Sequence, residues 1–102
     1  MILREVIEAA AADLGSVDAS MTGDGTTTWS RGDEPFAAVR SDGGAEFALD
    51  PAVAAAAMQT PDTTPSPRGP GWVLFQPIAL DAHGVDRARA WFASAHRRTA
   101  SR

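Results

Sequence analysis

The longest apolar run outside the alanine tracts, at residues 71–80, reads Gly-Trp-Val-Leu-Phe-Gln-Pro-Ile-Ala-Leu. Its apolar residues occupy both odd and even positions, and the run is too short to cross a bilayer. Such a run is typical of a strand that is buried on both faces. We therefore predict that this stretch is the central strand, and that helices and neighbouring strands cover Trp72 to Ile78 on either side.

An amphipathic helix is predicted near each end of the chain, because apolar residues recur there every three or four positions. The first helix spans residues 2–14 and ends at Gly15, and the last spans residues 85–98, followed by a disordered tail from about residue 99. We expect Trp91 of the last helix to share the core with Trp72. The predicted core-facing side chains are Leu3, Val6, Ile7, Ala10 and Leu14 in the first helix, and Val85, Ala88, Trp91, Phe92 and Ala95 in the last.

Three short strands are predicted in the first half of the chain. They cover residues 26–31, 35–40 and 45–49, which carry β-branched, aromatic or alternating apolar side chains. The turn sequences Gly32-Asp33-Glu34 and Asp42-Gly43-Gly44 separate them, so they form an antiparallel meander. Residues 16–25 are polar and contain glycine, which predicts a loop.

A short middle helix is predicted from Pro51 to Gln59, with the Asp50 carboxylate capping its first turn. From residue 60 to residue 71 the chain holds four prolines and two glycines, which exclude a helix and an interior strand. This segment is either a stiffened crossover connection or a mobile flap over a pocket beside Trp72.

These elements predict one α+β domain over residues 1–102. It has an antiparallel sheet of four or five strands, on which an N-terminal helix, a short middle helix and a C-terminal helix pack. The chain contains no cysteine, and charged residues interrupt its first helical segment, which excludes a signal peptide and a membrane span. We therefore expect a cytoplasmic protein that does not associate with membranes.

The charge is unevenly distributed along the chain. Residues 1–62 carry a net charge of −8 and residues 63–102 a net charge of +4, and every basic side chain is arginine. The overall acidity argues against a protein that grips a phosphate backbone with its whole surface, but it leaves room for a local basic patch.

No pattern in the chain predicts a catalytic residue, a metal site or a bound cofactor. The glycine clusters match neither of the common phosphate-binding patterns, and no histidine motif or acidic triad for a metal is present. We interpret His83 as a loop or capping residue and His96 as a partner of the dipole at the end of the last helix.

The order of elements resembles that of the small α+β domains of the YjbR-like group and of the related TfoX N-terminal domain. The resemblance spans nearly the whole chain and is carried by short pieces: Phe36-Ala37, Trp72-Val73, Pro77, Leu80-Asp81, Trp91 and Ala95. It implies a non-catalytic binding or regulatory module of unknown ligand. A DNA-binding role has been suggested for the fold, and TfoX is associated with the regulation of competence, but this chain departs from the group in lacking lysine and in being acidic.

Two other functions stay open. The first is a DNA-binding protein that uses Arg31, Arg40 and the C-terminal arginines. The second is a small-molecule binder or small enzyme with a pocket under the Pro61–Gly71 loop. The sequence does not identify a partner; a nucleic acid and a protein are both candidates, and a homodimer built on an edge strand or an apolar face is a further alternative. The candidate binding residues are Trp29, Arg31, Arg40, Arg68 and Trp72.

Overall fold

The computed structural model describes residues 2–15 and 17–100. Three helices and six strands form in these residues, and all neighbouring strands run antiparallel in the order β1-β2-β3-β4-β6-β5. The predicted α+β class with three helices and an antiparallel sheet is confirmed, with more strands than the four or five expected. The elements in chain order are α1 Leu3–Leu14, β1 Asp18–Met21, β2 Thr27–Arg31, β3 Glu34–Val39, β4 Ala45–Ala48, α2 Pro51–Ala57, β5 Thr63–Pro65, β6 Trp72–Phe75 and α3 Ala82–Ala100.

The two additional strands lie at the edges of the sheet. β1 falls in the predicted loop over residues 16–25, of which residue 16 lies outside the described residues, and all four of its side chains are exposed. β5 falls in the proline-rich segment and has only three residues. Hydrophobic periodicity cannot reveal either strand, because neither has a buried face.

All three helices pack on one face of the sheet and form a single core with it. Ala57 of α2 and Phe92 of α3 belong to the same buried cluster as Ile7 of α1. In α1, Leu3 and Val6 are also buried as predicted, Ala10 is partly buried, and Leu14 remains 37% exposed. The predicted end of α1 is confirmed, because Gly15 adopts a φ of 74° and its N–H bonds to the carbonyl of Ala11.

The aromatic side chains of the core meet edge to face. The Trp91 ring lies 5.5 Å from Phe75 and 6.0 Å from Phe47, and the Phe92 ring lies 5.3 Å from Phe36. Contacts of this geometry add to the stability gained from burial. The predicted inward face of the last helix is confirmed for Ala88, Trp91, Phe92 and Ala95, with Val85 partly buried.

The apolar run at residues 71–80 forms a shorter strand than predicted. Only residues 72–75 join the sheet, and β6 lies one strand from the edge, between β4 and β5. Val73, Leu74 and Phe75 are buried, but Gln76 is exposed and Ile78 is 100% exposed. The prediction that residues up to Ile78 are covered is therefore wrong. Pro77 has no N–H for the ladder, so the chain leaves the sheet after Phe75.

Both later helices differ from prediction at their ends. Pro51 starts α2 as expected, but the Asp50 side chain makes no capping hydrogen bond, and its carboxylate lies 3.5 Å from Nε of Arg98 instead. α3 begins at Ala82, so that His83 lies in its first turn rather than in a loop. At its other end α3 continues to Ala100, so residues 99 and 100 are helical rather than the start of a disordered tail. The last two residues of the predicted tail lie outside the described residues. None of the helices in the described ranges is long and apolar enough to span a membrane.

Candidate functional site

The face of the sheet opposite the helices carries one continuous row of side chains. Strand pairing places one residue of each strand side by side across it, because directly paired residues point to the same face. Ala38, Ala48 and Leu74 are buried on this face, yet they are outside the core cluster that the helices contact. In spatial order the row consists of Ser20, Thr28, Ala38, Glu46, Leu74 and Thr64.

A buried carboxylate lies near the centre of this face. Glu46 is only 3% exposed and accepts a hydrogen bond of 2.9 Å from Nε of Arg68 and one of 2.5 Å from the Ser66 hydroxyl. The Ser66 hydroxyl oxygen in turn accepts a hydrogen bond from the backbone N–H of Arg68 at 3.1 Å. A buried charge requires such partners, since an unpaired carboxylate in this position would be strongly destabilising.

Trp72 lies on the same face, next to Arg68. It pairs with Ala48 on β4, and its ring centroid is 5.2 Å from the Arg68 guanidinium carbon, which is a cation–π distance. The prediction that Trp72 shares the core with Trp91 is therefore wrong: Trp91 contacts Phe47 and Phe75 on the helical face, and Trp72 is half-buried on the other.

A shallow depression of about 340 Å³ opens beside Glu46 and Arg68, and Arg40 forms another part of its rim. The guanidinium of Arg40 is held by Asp42 at 2.7 Å. Asp24, also on the rim, has a pKa below its usual range, chiefly because the Thr22 hydroxyl donates a hydrogen bond to its carboxylate. The depression thus combines the guanidinium groups of Arg40 and Arg68 with the carboxylates of Asp24 and Glu46.

The other two candidate residues lie elsewhere. Trp29 is only 3% exposed, because its ring lies in the core on the helical face and packs edge to face against Phe92 of α3 at 6.0 Å. β2 is also not an edge strand, since β1 pairs with it. Trp29 therefore has no exposed ring face. Arg31 is exposed at the end of β2 that faces away from Arg40, about 20 Å from it along the neighbouring strand.

Arg31 is instead close to the end of α3. The ring of His96 packs against Phe36 at 5.4 Å, and its Nε2 atom is buried without a hydrogen-bond partner. Burial lowers the pKa of His96, and the positive charges of Arg31 and Arg97 lower it further. A lowered pKa makes the cationic form of His96, which the predicted role of dipole partner needs, less favourable.

The arginines proposed for DNA binding do not share one surface. Arg98 extends from α3 to Glu34 at 3.9 Å and to Asp50 at 3.5 Å, at the same end of the sheet as Arg31. Arg40 lies at the other end of β3, with Asp42. Arg40 and Arg98 are thus each close to a carboxylate within the protein.

The proline-rich segment borders two depressions. Pro67 and Arg68 form part of the one beside Glu46, and Pro61 and Asp62 form part of a second, of about 250 Å³, which His83 and Arg87 also line. In the described residues, no group of three or more His, Asp or Glu side chains is placed to hold a metal ion.

Glu46 and Ser66, which connect the candidate residues to the sheet, are not among the residues that the sequence predicts for the site. Glu46 occupies an alternate position of β4, between the inward Ala45 and Phe47, and that pattern predicts an exposed side chain. Its partner Arg68 lies 22 residues later in a segment with no periodicity. The only available signal was a single arginine among prolines.

Comparisons of the chain with protein-family models, with curated proteins and with solved structures find no match.

Proposed function

We propose that this protein is a non-catalytic binding module of the YjbR/TfoX-N-like kind, and that it binds a protein partner on the helix-free face through Arg40, Arg68 and Trp72. The observation that carries the proposal is the fixed position of Arg68, whose Nε is held by Glu46 while its guanidinium lies over the Trp72 ring. Side chains that are ordered before binding lose little conformational entropy when a partner arrives. Arginine and tryptophan are also the residue types that contribute most at the centres of protein interfaces.

The charges around this cluster favour a protein over a nucleic acid. Two guanidinium groups, of Arg40 and Arg68, lie among three carboxylates, of Asp24, Asp42 and Glu46. The surface therefore has no excess of positive charge with which to release counterions from a phosphate backbone. A mixture of donors and acceptors is instead typical of the polar parts of protein interfaces.

The non-catalytic part of the proposal is supported by the positions of the two histidines. His83 is exposed in the first turn of α3, and His96 packs against Phe36 in the helical layer. Neither lines the depression beside Arg40 and Arg68. We also place the protein in the cytoplasm, which is supported by its lack of cysteine.

The proposal is tested by quantitative affinity capture with four versions of the purified chain: wild type, Arg40→Ala, Arg68→Ala and Arg89→Ala. Arg89 is a matched control, since it is exposed on α3 on the helical side. We expect one protein to be retained by the wild type and by Arg89→Ala and to be lost from Arg40→Ala and Arg68→Ala. That protein, once purified, should bind with the same order of affinities in a titration. Equal capture by all four versions would show that this face is not the binding surface.

A second titration distinguishes a nucleic-acid partner from a protein partner. Duplex and single-stranded oligonucleotides are added to the wild type at low salt, with tryptophan fluorescence and anisotropy as readouts. We expect no binding; an affinity that falls steeply as salt is added would overturn the choice of a protein partner.

A further inference from the structure

β1 is an open sheet edge whose only protections are its length of four residues and the single charge of Asp18. Its four residues are exposed, Met21 to 69%, and its register with β2 is regular. It contains no proline and no lysine, whereas the opposite edge strand, β5, contains Pro65. An edge strand with free backbone groups is a template for pairing with another strand.

The backbone groups that are free on β1 follow from the hydrogen bond at its end. The N–H of Thr22 bonds to the carbonyl of Thr26, which places this pair among the hydrogen-bonded pairs of the β1–β2 ladder. Because such pairs alternate along an antiparallel ladder, Ser20 and Asp18 also direct their N–H and C=O groups toward β2. The N–H and C=O groups of Ala19 and Met21 therefore point away from the sheet.

A second copy of β1 can pair antiparallel with the first so that its own outward N–H and C=O groups meet these groups. This happens when the two-fold axis that relates the copies passes midway between their two Ala19 residues. Ala19 then forms a hydrogen-bonded pair with its own counterpart, and no bulky side chains meet there. Asp18 lies opposite Ser20 of the other copy, so that a carboxylate faces a hydroxyl donor rather than a second carboxylate. Val17, partly buried at the rim of the core, lies opposite the exposed Met21 of the other copy. Every pair in this register is thus chemically complementary.

We propose that two copies of this protein associate through antiparallel pairing of β1 about Ala19, which extends the sheet from six to twelve strands with all the helices on one side. This proposal rests on different groups from the partner-binding function above: it uses the outward backbone groups of β1, whereas that function uses the side chains of Arg40, Arg68 and Trp72 on the helix-free face. So short a strand buries less surface than the roughly 1,200 Å² of a stable complex, so the dimer is weak and concentration-dependent.

Sedimentation velocity over a series of protein concentrations tests the association. We expect the weight-average mass of the wild type to rise toward that of a dimer as concentration increases. Met21→Lys adds a charge at an exposed position and Ala19→Pro removes an outward N–H, so both should remain monomeric with unchanged circular dichroism. A wild type that is monomeric at all concentrations would overturn the proposal.

Cysteine cross-linking tests the register, because the chain has no cysteine of its own. Single variants Asp18→Cys, Ala19→Cys, Ser20→Cys and Met21→Cys are oxidised at high concentration, with Thr64→Cys on β5 as the control edge. Cα atoms of a hydrogen-bonded pair are about 5.5 Å apart, within the range that a disulfide spans. We expect Ala19→Cys to form the most dimer, and a mixture of Asp18→Cys and Ser20→Cys to form a mixed dimer. Preferred cross-linking at Ser20→Cys or at Thr64→Cys would contradict the proposed pairing.

Discussion

Nε of Arg68 lies 2.9 Å from a carboxylate oxygen of Glu46, so that a buried charge in the middle of the sheet holds a segment that comes 22 residues later in the chain. Ser66 adds a second hydrogen bond to the same carboxylate. The buried apolar cluster of the fold lies on the helical face. On the opposite face, this polar network positions the start of the connection from β5 to β6.

Breaking this pair should have unequal effects on stability, depending on which partner is removed. Arg68→Ala leaves the buried carboxylate with Ser66 alone, and we expect a loss of about 2–4 kcal/mol in the free energy of unfolding. Glu46→Gln keeps one acceptor oxygen for Nε of Arg68, and its NH2 group can donate to the Ser66 hydroxyl oxygen. It also leaves no buried charge unpaired, so its loss should be smaller, about 1–2 kcal/mol. Urea denaturation measures both values.

Arg40 provides the control for this comparison. Its pair with Asp42 is partly exposed, with 34% and 45% of the two side chains accessible. Exposed pairs contribute little, so Arg40→Ala should change the free energy of unfolding by about 0–1 kcal/mol. If Arg68→Ala and Arg40→Ala lose the same amount of stability, burial does not make the Glu46–Arg68 pair more important than the exposed pair.

Residues of the core and of the segment after β6 should respond very differently to truncation. Phe47 is fully buried against Trp91, and Phe47→Ala should lower the free energy of unfolding by about 3–5 kcal/mol. Ile78 is fully exposed, so Ile78→Ser should change it by no more than about 0.5 kcal/mol. A large effect of Ile78→Ser in thermal or urea denaturation would mean that this side chain is covered in solution.

The core could be predicted from the sequence because its residues follow a regular period. The stripe of α1 and the inward face of α3 bury most of the residues expected, with Leu14 as the exception, and Ala45, Phe47 and Leu49 are all buried. Periodicity reports which side chains leave water, and it therefore identifies the elements that have one apolar face.

The remaining features could not be predicted because no such pattern marks them. β1 is exposed throughout, so only its pairing with β2 makes it a strand. Ile78 is apolar but follows Pro77, where the chain has already left the sheet. Of the candidate site, Arg40, Arg68 and Trp72 are brought together, but Glu46 looked like an outward charge because its partner is distant in sequence.

Gly71 should not tolerate a side chain. It adopts a φ of 82°, and a Cβ at this position would lie 3.0 Å from the carbonyl oxygen of Leu49, whose N–H bonds to the Gly71 carbonyl. Gly71→Ala should therefore cost about 1–3 kcal/mol, because alanine is strained in this conformation. Gly23 has open space around it and no positive φ, so Gly23→Ala is the matched control. Equal denaturation midpoints for the two variants would refute the expected strain.

The stability of the fold should depend on the protonation of His96. Its folded-state pKa is lowered from the ordinary value of 6.5, by burial first and then by Arg31 and Arg97. In the unfolded chain this histidine binds a proton more readily than in the folded protein. Falling pH therefore favours unfolding: the contribution of neutral His96 is complete well above pH 6.5 and decreases as the pH falls below it, until the folded-state pKa is reached.

Urea denaturation of the wild type between about pH 5.5 and 8 should show this loss on the acidic side, above the range in which most carboxylates titrate. His96→Leu keeps an apolar contact with Phe36 and removes the titrating ring, so its free energy of unfolding should vary less over the same range. His83→Gln is the control, since His83 is exposed, and it should retain the dependence of the wild type. The dependence is expected because the buried Nε2 atom of His96 has no hydrogen-bond partner for an added proton. Parallel pH profiles for the wild type and His96→Leu would show that another group is responsible.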